Sequence, residues 1–258
     1  MKLKGKKVVL TGAASGIGRA LLQGLSGHDL KLIAADIDGE KLRAAIAEFG
    51  SHDFYPFTCD LSVQDEVNRL FEFAAKTMKG IDIFIANAGI PYYEQISKPD
   101  WNHIGKIFET NVFSIIYSLE KMMRLSDRFH FVVTNSGMAK IAIPGYALYS
   151  SSKAALERFF EGYVLEKEPG IYVSMVYPIA TKTDFFSRAS VPPAPVPWPS
   201  QPPEKVASAV IKGIERDKKT IYPSRLLRLS QLPFVRGWYQ RRERRCFQKW
   251  LQKRNQKC

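Results

Sequence analysis

Two side chains four residues apart, Tyr149 and Lys153, are the strongest chemical signal in the sequence. In an α-helix this spacing places both side chains on one face, one turn apart. A phenol has a reference pKa of about 10 and is a poor base at neutral pH, but a neighbouring ammonium group favours the phenolate and lowers that pKa. The pair is therefore suited to giving or taking a hydroxyl proton while a hydride moves elsewhere.

Three glycines follow the first apolar run of the chain, within the segment from Thr11 to Gly18 (TGAASGIG). Glycines at a strand-to-helix turn permit a tight bend and a close approach of the backbone. The free N–H groups at the helix N-terminus can then hold a pyrophosphate. Because the cluster falls at the first such junction, the sequence predicts a dinucleotide site there.

Asp36 ends the second apolar run, 24 residues after Gly12. A carboxylate at this position can accept hydrogen bonds from both ribose hydroxyls of NAD and would repel the 2′-phosphate of NADP. Ser15 and Ile37, where a cation would favour NADP, are uncharged, and Arg19 is expected to point into the following helix. We therefore expect NAD(H) to be preferred over NADP(H); a helix cap is the alternative role for Asp36.

Short apolar runs alternate with amphipathic segments along most of the 258 residues, a length that fits one large domain. This alternation predicts an α/β fold with a doubly wound, mostly parallel sheet of the Rossmann type. Such sheets bind ligands at the carboxyl ends of their strands. We expect strands at 7–11, 30–35, 54–58, 81–86, 129–134, 171–177 and 220–222, and helices at 17–25, 41–49, 63–78, 101–125, 147–166 and 204–216.

Together with Ser136, thirteen residues before Tyr149, these motifs resemble the short-chain dehydrogenase/reductase family over about residues 3–222. The resemblance implies that Ser136 hydrogen-bonds the substrate oxygen, that Tyr149 is the acid/base, and that Lys153 lowers the tyrosine pKa and binds the nicotinamide ribose. It also implies that Asn111 holds a water in a proton relay. One departure is Ile179, which follows Pro178 where the family usually has glycine.

The cofactor-binding residues that the resemblance implies are spread over the carboxyl ends of the predicted strands. They are Thr11, Gly12, Ser15, Gly16, Ile17, Gly18, Asp36, Asp60, Leu61, Asn87, Ala88, Gly89, Tyr149, Lys153, Pro178 and Thr183.

Apolar and aromatic side chains follow the motifs and are candidates for a substrate wall: Tyr92, Tyr93, Met138, Ile143, Pro144, Tyr146, Phe185, Phe186 and Trp198. They favour a hydrophobic secondary alcohol or ketone, such as a lipid, steroid or retinoid-like molecule; ordinary core packing is the alternative. The proline-rich stretch from Val191 to Pro203 predicts a loop outside helix and sheet, serving as a substrate lid or as a connector.

The net charge of +13 is concentrated in a basic, partly helical extension over residues 224–258, which has a net charge of +10 beyond a catalytic domain at residues 1–223. Phe247, Trp250 and Leu251 share one helical face beside basic residues, which predicts peripheral attachment to an anionic membrane. The alternative is a tail that packs on the body or on another subunit. Nucleic acid is not expected, because no recognition motif accompanies the charge.

The predicted function is hydride transfer between NAD(H) and the hydrophobic substrate. The alternative is a nucleotide-sensing or interaction protein on the same fold that acts through the basic tail. The three cysteines and four histidines have no metal-ligand or disulfide-framework spacing, so no metal is expected. The N-terminus does not resemble a signal peptide, and we expect a cytoplasmic homodimer or homotetramer, peripheral on the inner face of a membrane if the tail attaches there.

Overall fold

A seven-stranded parallel sheet forms the centre of the computed structural model, which describes residues 1–49, 53–96, 100–227 and 232–255. The strands of this sheet and of a smaller second one are, in chain order, β1 (Lys6–Thr11), β2 (Leu30–Asp36), β3 (Phe54–Thr58), β4 (Ile83–Ala86), β5 (Phe129–Thr134), β6 (Ile171–Val176), β7 (Ala180–Thr181), β8 (Ser200–Gln201) and β9 (Thr220–Ile221). The sheet order is β3-β2-β1-β4-β5-β6-β9, while β7 and β8 form a separate parallel pair.

Helices cover both faces of this sheet, which confirms the α/β, doubly wound, single-domain prediction. They are α1 (Gly16–Ser26), α2 (Gly39–Phe49), α3 (Gln64–Met78), α4 (Trp101–Phe108), α5 (Ser114–Leu125), α6 (Ala147–Glu166), α7 (Pro203–Glu215) and α8 (Pro233–Asn255). Alternate residues of β1 point to opposite faces: Val8 and Leu10 pack with α1, α2 and α7, whereas Val9 packs with α3, α5 and α6. The sheet is thus buried on both sides, as its apolar strands require.

The strand order reverses between β1 and β4. The chain runs outward from β1 through β2 to β3, then returns to place β4 on the other side of β1. Neighbouring connections therefore leave in opposite directions at the carboxyl ends of β1 and β4. A doubly wound sheet has its ligand crevice at this point.

Two segments depart from the sequence prediction. Residues 101–125 form α4 and α5, joined by a π-helical turn, Glu109–Phe113. The proline-rich stretch was wrongly expected to stay outside sheet and helix: Ser200–Gln201 pairs with Ala180–Thr181, and Pro203 begins α7. Ser200 and Gln201 lie between prolines but keep their own N–H groups, and a proline fits the first turn of a helix because its missing donor has no partner there.

Helix α8 lies across the carboxyl edge of the sheet and packs on the body. The Tyr93 ring lies 4.8 Å from the Trp250 ring and 5.4 Å from the Phe247 ring, and Trp250 Nε1 donates to Pro192 O at 3.1 Å. The apolar helix face that the sequence assigned to a membrane, with Leu251, is therefore occupied by the protein itself. Positions 228–231 and 256–258 of the extension, which include Leu229, lie outside the described residues. In the part of the chain that the structure describes, no helix is long and apolar enough to cross a bilayer.

Candidate active site

The glycine loop between β1 and α1 has a backbone that only glycine accommodates easily. Gly12 and Gly16 have φ angles of +66° and +55°, and a Cβ on Gly18 would lie 1.7 Å from Gly12 O. Asn87 holds the loop from the end of β4, because its Nδ2 donates to Thr11 O at 3.1 Å and to Gly12 O at 3.2 Å. The loop is thus held open at the N-terminus of α1, where a pyrophosphate fits.

Thr11 joins the ends of β1 and β4. Its hydroxyl oxygen accepts from the backbone N–H groups of Asn87 and Ala88, at 3.0 and 3.1 Å, and donates to Ile85 O at 3.3 Å. Thr11 and Gly18 are not part of the wall of the main cavity. They lie behind the crevice, and their predicted part in cofactor binding stays a prediction.

Asp36 stands at the carboxyl end of β2, on the wall of the main cavity. Its carboxylate accepts from Ala14 N at 2.9 Å and from Asp38 N at 3.0 Å. Arg19 is turned away, since its guanidinium pairs with Glu48. The carboxylate is therefore fixed beside the glycine loop, at the position where a ribose would lie.

Asp60 follows β3 and is oriented by a lysine that the sequence analysis missed. Lys106 Nζ donates to Asp60 Oδ2 at 2.8 Å, and the backbone N–H and hydroxyl of Ser62 donate to Oδ1 at 2.9 and 2.7 Å. Burial acts to raise the pKa of Asp60, but the hydrogen bonds from Lys106 and Ser62 outweigh it, so the pKa lies below its ordinary value. The group stays ionised on the cavity wall.

Tyr149 and Lys153 lie on the first turns of α6, both buried. Lys153 Nζ donates to Thr134 O at 2.9 Å and lies 5.8 Å from the centre of the Tyr149 ring. Burial raises the pKa of Tyr149 to about 12, with the Ser136 hydroxyl acting in the opposite direction, and burial lowers the pKa of Lys153 to about 8. The Tyr149 shift is opposite to the expected one, because the effect of desolvating the phenolate exceeds the opposing effect of the Ser136 hydroxyl.

Ser136 follows β5 and faces the same cavity. Its Oγ accepts from Met138 N at 3.0 Å and caps the short 3₁₀ helix Gly137–Ala139. The cap fixes the side chain, while its hydroxyl acts on the Tyr149 phenol by hydrogen bond. The serine therefore has both the structural role and the position that the proposed chemistry needs.

Asn111 lies in the π-helical turn and is fully buried behind the cavity wall. Its Oδ1 accepts from Ile90 N at 2.8 Å, and its Nδ2 donates to Ile90 O at 2.9 Å and to Ser152 Oγ at 3.1 Å. These bonds tie the segment after β4 to α6. These contacts are structural, and the predicted part of Asn111 in a proton relay stays a prediction.

One cavity of about 940 Å³ connects the glycine loop to the Tyr149 hydroxyl and extends beyond it. The remaining predicted cofactor residues lie on its wall: Gly12, Ser15, Gly16, Ile17, Asp36, Asp60, Leu61, Asn87, Ala88, Gly89, Tyr149, Lys153, Pro178 and Thr183. Three further wall residues, Thr110, Thr134 and Asn135, carry buried polar side-chain atoms that have no hydrogen-bond partner among the described residues. Buried polar atoms of this kind need partners, so the wall fits a polar group such as a ribose or carboxamide.

The far end of the cavity is apolar and only partly as predicted. Tyr92, Met138, Ile143, Phe185, Phe186 and Trp198 line it, but Tyr93, Pro144 and Tyr146 do not. Tyr93 lies behind the wall, in contact with α8, and Tyr146 packs against Tyr93. Ile179, at the position where the family usually has glycine, is one of the residues on the wall.

The extension supplies wall residues that the sequence analysis did not assign to the site. They are Leu226, Leu227, Leu232, Val235, Trp238 and Tyr239. Their apolar character within a basic segment was the available signal for a buried position. The structure places them on the wall of the cavity that also contains Tyr149.

Comparisons with known proteins agree with this geometry. A sequence profile for short chain dehydrogenases matches residues 6–192. The chain is 30% identical to short chain aldehyde dehydrogenase 1 of Euphorbia lathyris, over 73% of this chain and 68% of the relative. It is 28% identical to 17-beta-hydroxysteroid dehydrogenase 13 of Rattus norvegicus, over 88% and 77%, and 27% identical to epidermal retinol dehydrogenase 2 of Homo sapiens, over 86% and 75%.

Solved structures share the fold. A short chain dehydrogenase/reductase from Burkholderia phymatum in complex with NAD superposes with a TM-score of 0.81 at 19% identity, covering 90% of this chain and 93% of that one. A short-chain dehydrogenase from Sphingobium yanoikuyae in complex with NADPH gives 0.77 at 23% identity, covering 90% and 94%. With its profile match over most of the chain, the protein belongs to the short-chain dehydrogenase/reductase family of oxidoreductases.

Proposed function

We propose that the protein transfers a hydride between NAD(H) and a hydrophobic secondary alcohol or ketone of lipid, steroid or retinoid type. The observation that carries this proposal is that Ser136, Tyr149 and Lys153 lie in one cavity, between a glycine loop and an apolar end. A steroid dehydrogenase and a retinol dehydrogenase among the relatives support the substrate class.

Tyr149, Ser136 and Lys153 each have a separate part in the proposed reaction. A bound nicotinamide supplies or accepts the hydride at the substrate carbon. In reduction, the Tyr149 phenol donates its proton to the carbonyl oxygen as that oxygen gains charge, and in oxidation the phenolate takes the proton back. The Ser136 hydroxyl donates a hydrogen bond to the same oxygen, and the Lys153 ammonium stabilises the phenolate.

The preference for NAD(H) rests on Asp36 and on the uncharged Ser15 and Ile37 beside it on the cavity wall. Arg188 is a competing feature, because it is a cation on the wall of the same cavity. We expect NADH to bind more tightly than NADPH in fluorescence titrations of the full chain. Asp36→Ala should narrow the difference by about tenfold or more, because it removes both the ribose hydrogen bonds and the repulsion. Tighter binding of NADPH to the unsubstituted protein contradicts the preference.

The alternative, an interaction protein that works through its tail, is less well supported. Helix α8 packs on the body and lines the substrate end of the cavity, so the tail is part of the same site as Tyr149. The direct test is a screen of hydrophobic alcohols and ketones with each cofactor, followed at the nicotinamide absorbance. Turnover of none of them, by a protein that binds NADH, favours the nucleotide-sensing alternative. A cytoplasmic location and assembly into a homodimer or homotetramer remain predictions.

A further inference from the structure

We propose that the mouth of the cavity docks on an anionic phospholipid bilayer, so that a hydrophobic substrate passes directly between the bilayer and the cavity. The route of the substrate rests on the proposed function, whereas the docking itself does not. The docking surface consists of the apolar mouth, formed by Trp198, Leu226, Leu232, Phe234 and Trp238, and of a basic stripe on α8, formed by Arg241, Arg245 and Lys249.

The apolar mouth is exposed although it belongs to the cavity. Trp198, Leu232 and Trp238 line the cavity and are 56%, 53% and 48% exposed, which places them where the cavity opens to solvent. Phe234 lies one helical turn before Trp238 and is 82% exposed. Several large apolar side chains exposed beside one cavity opening are typical of a binding or membrane surface.

The basic stripe continues the same outward face of α8. From Phe234 the spacings to Trp238, Arg241, Arg245 and Lys249 are four, three, four and four residues, so all five side chains fall on one side of the helix. All five are exposed, whereas Tyr239, Phe247 and Trp250 on the other side are packed against the body. The helix therefore has an apolar end at the mouth and a basic end beyond it.

The charge of this surface is unbalanced. Glu243 is the one acidic residue in 224–258, and it is buried and paired with Arg242. Among the described residues, no ion pair involves Arg241, Arg245 or Lys249.

An anionic bilayer is the partner that can bind both the apolar mouth and the basic stripe. Anionic headgroups attract the cations, and tryptophan and phenylalanine side chains insert at the depth of the headgroups. A nucleic acid would use the cations alone and would leave the exposed aromatic side chains at the mouth without a partner. The position of the insertion point at the cavity mouth also gives a water-insoluble substrate a path that avoids solvent.

The test is co-sedimentation of the full chain with vesicles of equal parts phosphatidylcholine and phosphatidylglycerol, and with vesicles of phosphatidylcholine alone. The variants are point substitutions and not a deletion of α8, because deleting α8 would also remove part of the cavity wall. Arg241→Gln, Arg245→Gln and Lys249→Gln together should weaken binding to the anionic vesicles at least tenfold, since each cation near the surface contributes separately. Phe234→Asp should weaken binding to the anionic vesicles by about tenfold. The binding that remains should be electrostatic and should disappear at high salt.

The matched control removes three cations from elsewhere on the protein. Lys212→Gln, Lys218→Gln and Lys219→Gln together change the net charge equally, and all three lysines are exposed in α7 and just before β9, at the amino edge of the sheet. Vesicle binding of this triple variant should stay within about twofold of the unsubstituted protein. An equal loss in both triple variants would show attraction by net charge alone and would overturn the proposal.

Two other results also overturn it. One is the absence of binding to anionic vesicles. The other is a gel-filtration shift to a smaller species on Phe234→Asp with vesicle binding unchanged, which would assign the mouth to contacts between copies of the chain. Sedimentation is measured without cofactor or substrate, so the result for vesicle binding does not depend on whether the proposed function is correct. Turnover of a short water-soluble ketone checks that the basic-stripe variant retains its active site.

Discussion

At the scale of single residues, burial dominates the proposed chemistry. Desolvation raises the pKa of Tyr149 to about 12 and lowers that of Lys153 to about 8, so each group is moved toward its neutral form. At neutral pH the phenol keeps its proton, and most of the lysine is still an ammonium ion. The protein without cofactor is therefore prepared to donate a proton to a ketone oxygen, and a phenolate has to be stabilised by Lys153 and by the hydrogen bond from Ser136.

Tyr149→Phe is expected to lower kcat by at least about 10²–10⁴-fold, because it removes the transferable proton, and to leave the Kd for NADH within about twofold. Steady-state turnover and NADH fluorescence titration measure the two effects. Tyr146→Phe is the matched control: the Tyr146 hydroxyl is buried without a hydrogen-bond partner among the described residues, and its ring lies 6.4 Å from that of Tyr149. The control should keep kcat. A Tyr149→Phe protein with near-normal kcat contradicts the assignment of the acid/base.

The predicted site residues that also lie on the cavity wall include several that are constrained locally. Gly12 follows β1, Gly16 begins α1 and Asp36 ends β2, and at these positions backbone geometry or a single carboxylate determines the residue type. Thr134 and Asn135, by contrast, carry no recognisable spacing, and only the folded sheet shows that their polar atoms are buried on the cavity wall. The Tyr149 shift was predicted in the wrong direction because sequence spacing gives the distance to a charge but not the degree of burial.

At the scale of elements, α8 is the part of the fold whose position the sequence did not predict. Its helical character follows from composition and spacing, but its packing depends on contacts such as Tyr93 with Trp250, which are more than 150 residues apart. The aromatic face therefore gave the same pattern as a membrane-inserted helix. Parallel strands and crossing helices were predicted because each is specified by a short, periodic segment.

Trp250→Ala tests whether α8 is held to the body as the structure has it. Trp250 is buried against Tyr93 and Phe247 and donates to Pro192 O. If α8 unfolds together with the body, the substitution should lower the free energy of unfolding by about 3–5 kcal/mol. It should also raise KM for a hydrophobic substrate, because the cavity loses a wall, while the Kd for NADH changes little. Urea unfolding and steady-state kinetics measure these effects.

Gln252→Ala is the control for Trp250→Ala, since Gln252 is exposed two residues further along the same helix. It should leave both the urea midpoint and KM unchanged. A Trp250→Ala protein that also keeps both values would show that α8 does not pack on the cavity wall in solution.

At the scale of the whole molecule, the two edges of the sheet differ in what they contain. The cavity lies at the carboxyl edge, whereas a buried histidine, His130, lies at the amino edge, near the start of β5. His130 is fully buried, with Nε2 2.7 Å from Ser174 Oγ, and Ser174 in turn donates to Lys218 O. Because Ser174 directs its own proton to Lys218 O, the hydrogen between the two side chains is assigned to Nε2 of the imidazole, with Ser174 Oγ as its acceptor.

His130 makes stability depend on pH. Burial lowers its pKa to about 4, with Asp217 acting to raise it and the amino terminus of Met1 to lower it further. Between about pH 4 and pH 6.5 the unfolded chain binds a proton that the folded chain does not, so the free energy of unfolding rises with pH by roughly 1 kcal/mol per pH unit from this group. The contribution is complete above about pH 6.5 and is lost as the pH falls toward 4.

His130→Gln should remove this part of the slope, since glutamine keeps a donor for Ser174 but does not titrate. The measurement is urea unfolding at steps between about pH 4 and pH 7, comparing the slope of the unfolding free energy with that of the unsubstituted protein. His28→Gln, at a partly exposed position in the turn after α1, controls for the loss of an imidazole as such. If the His130→Gln slope matches that of His28→Gln, the acid sensitivity of the fold does not come from the buried imidazole, and the amino edge of the sheet is then more open to water than the packing around Ser174 indicates.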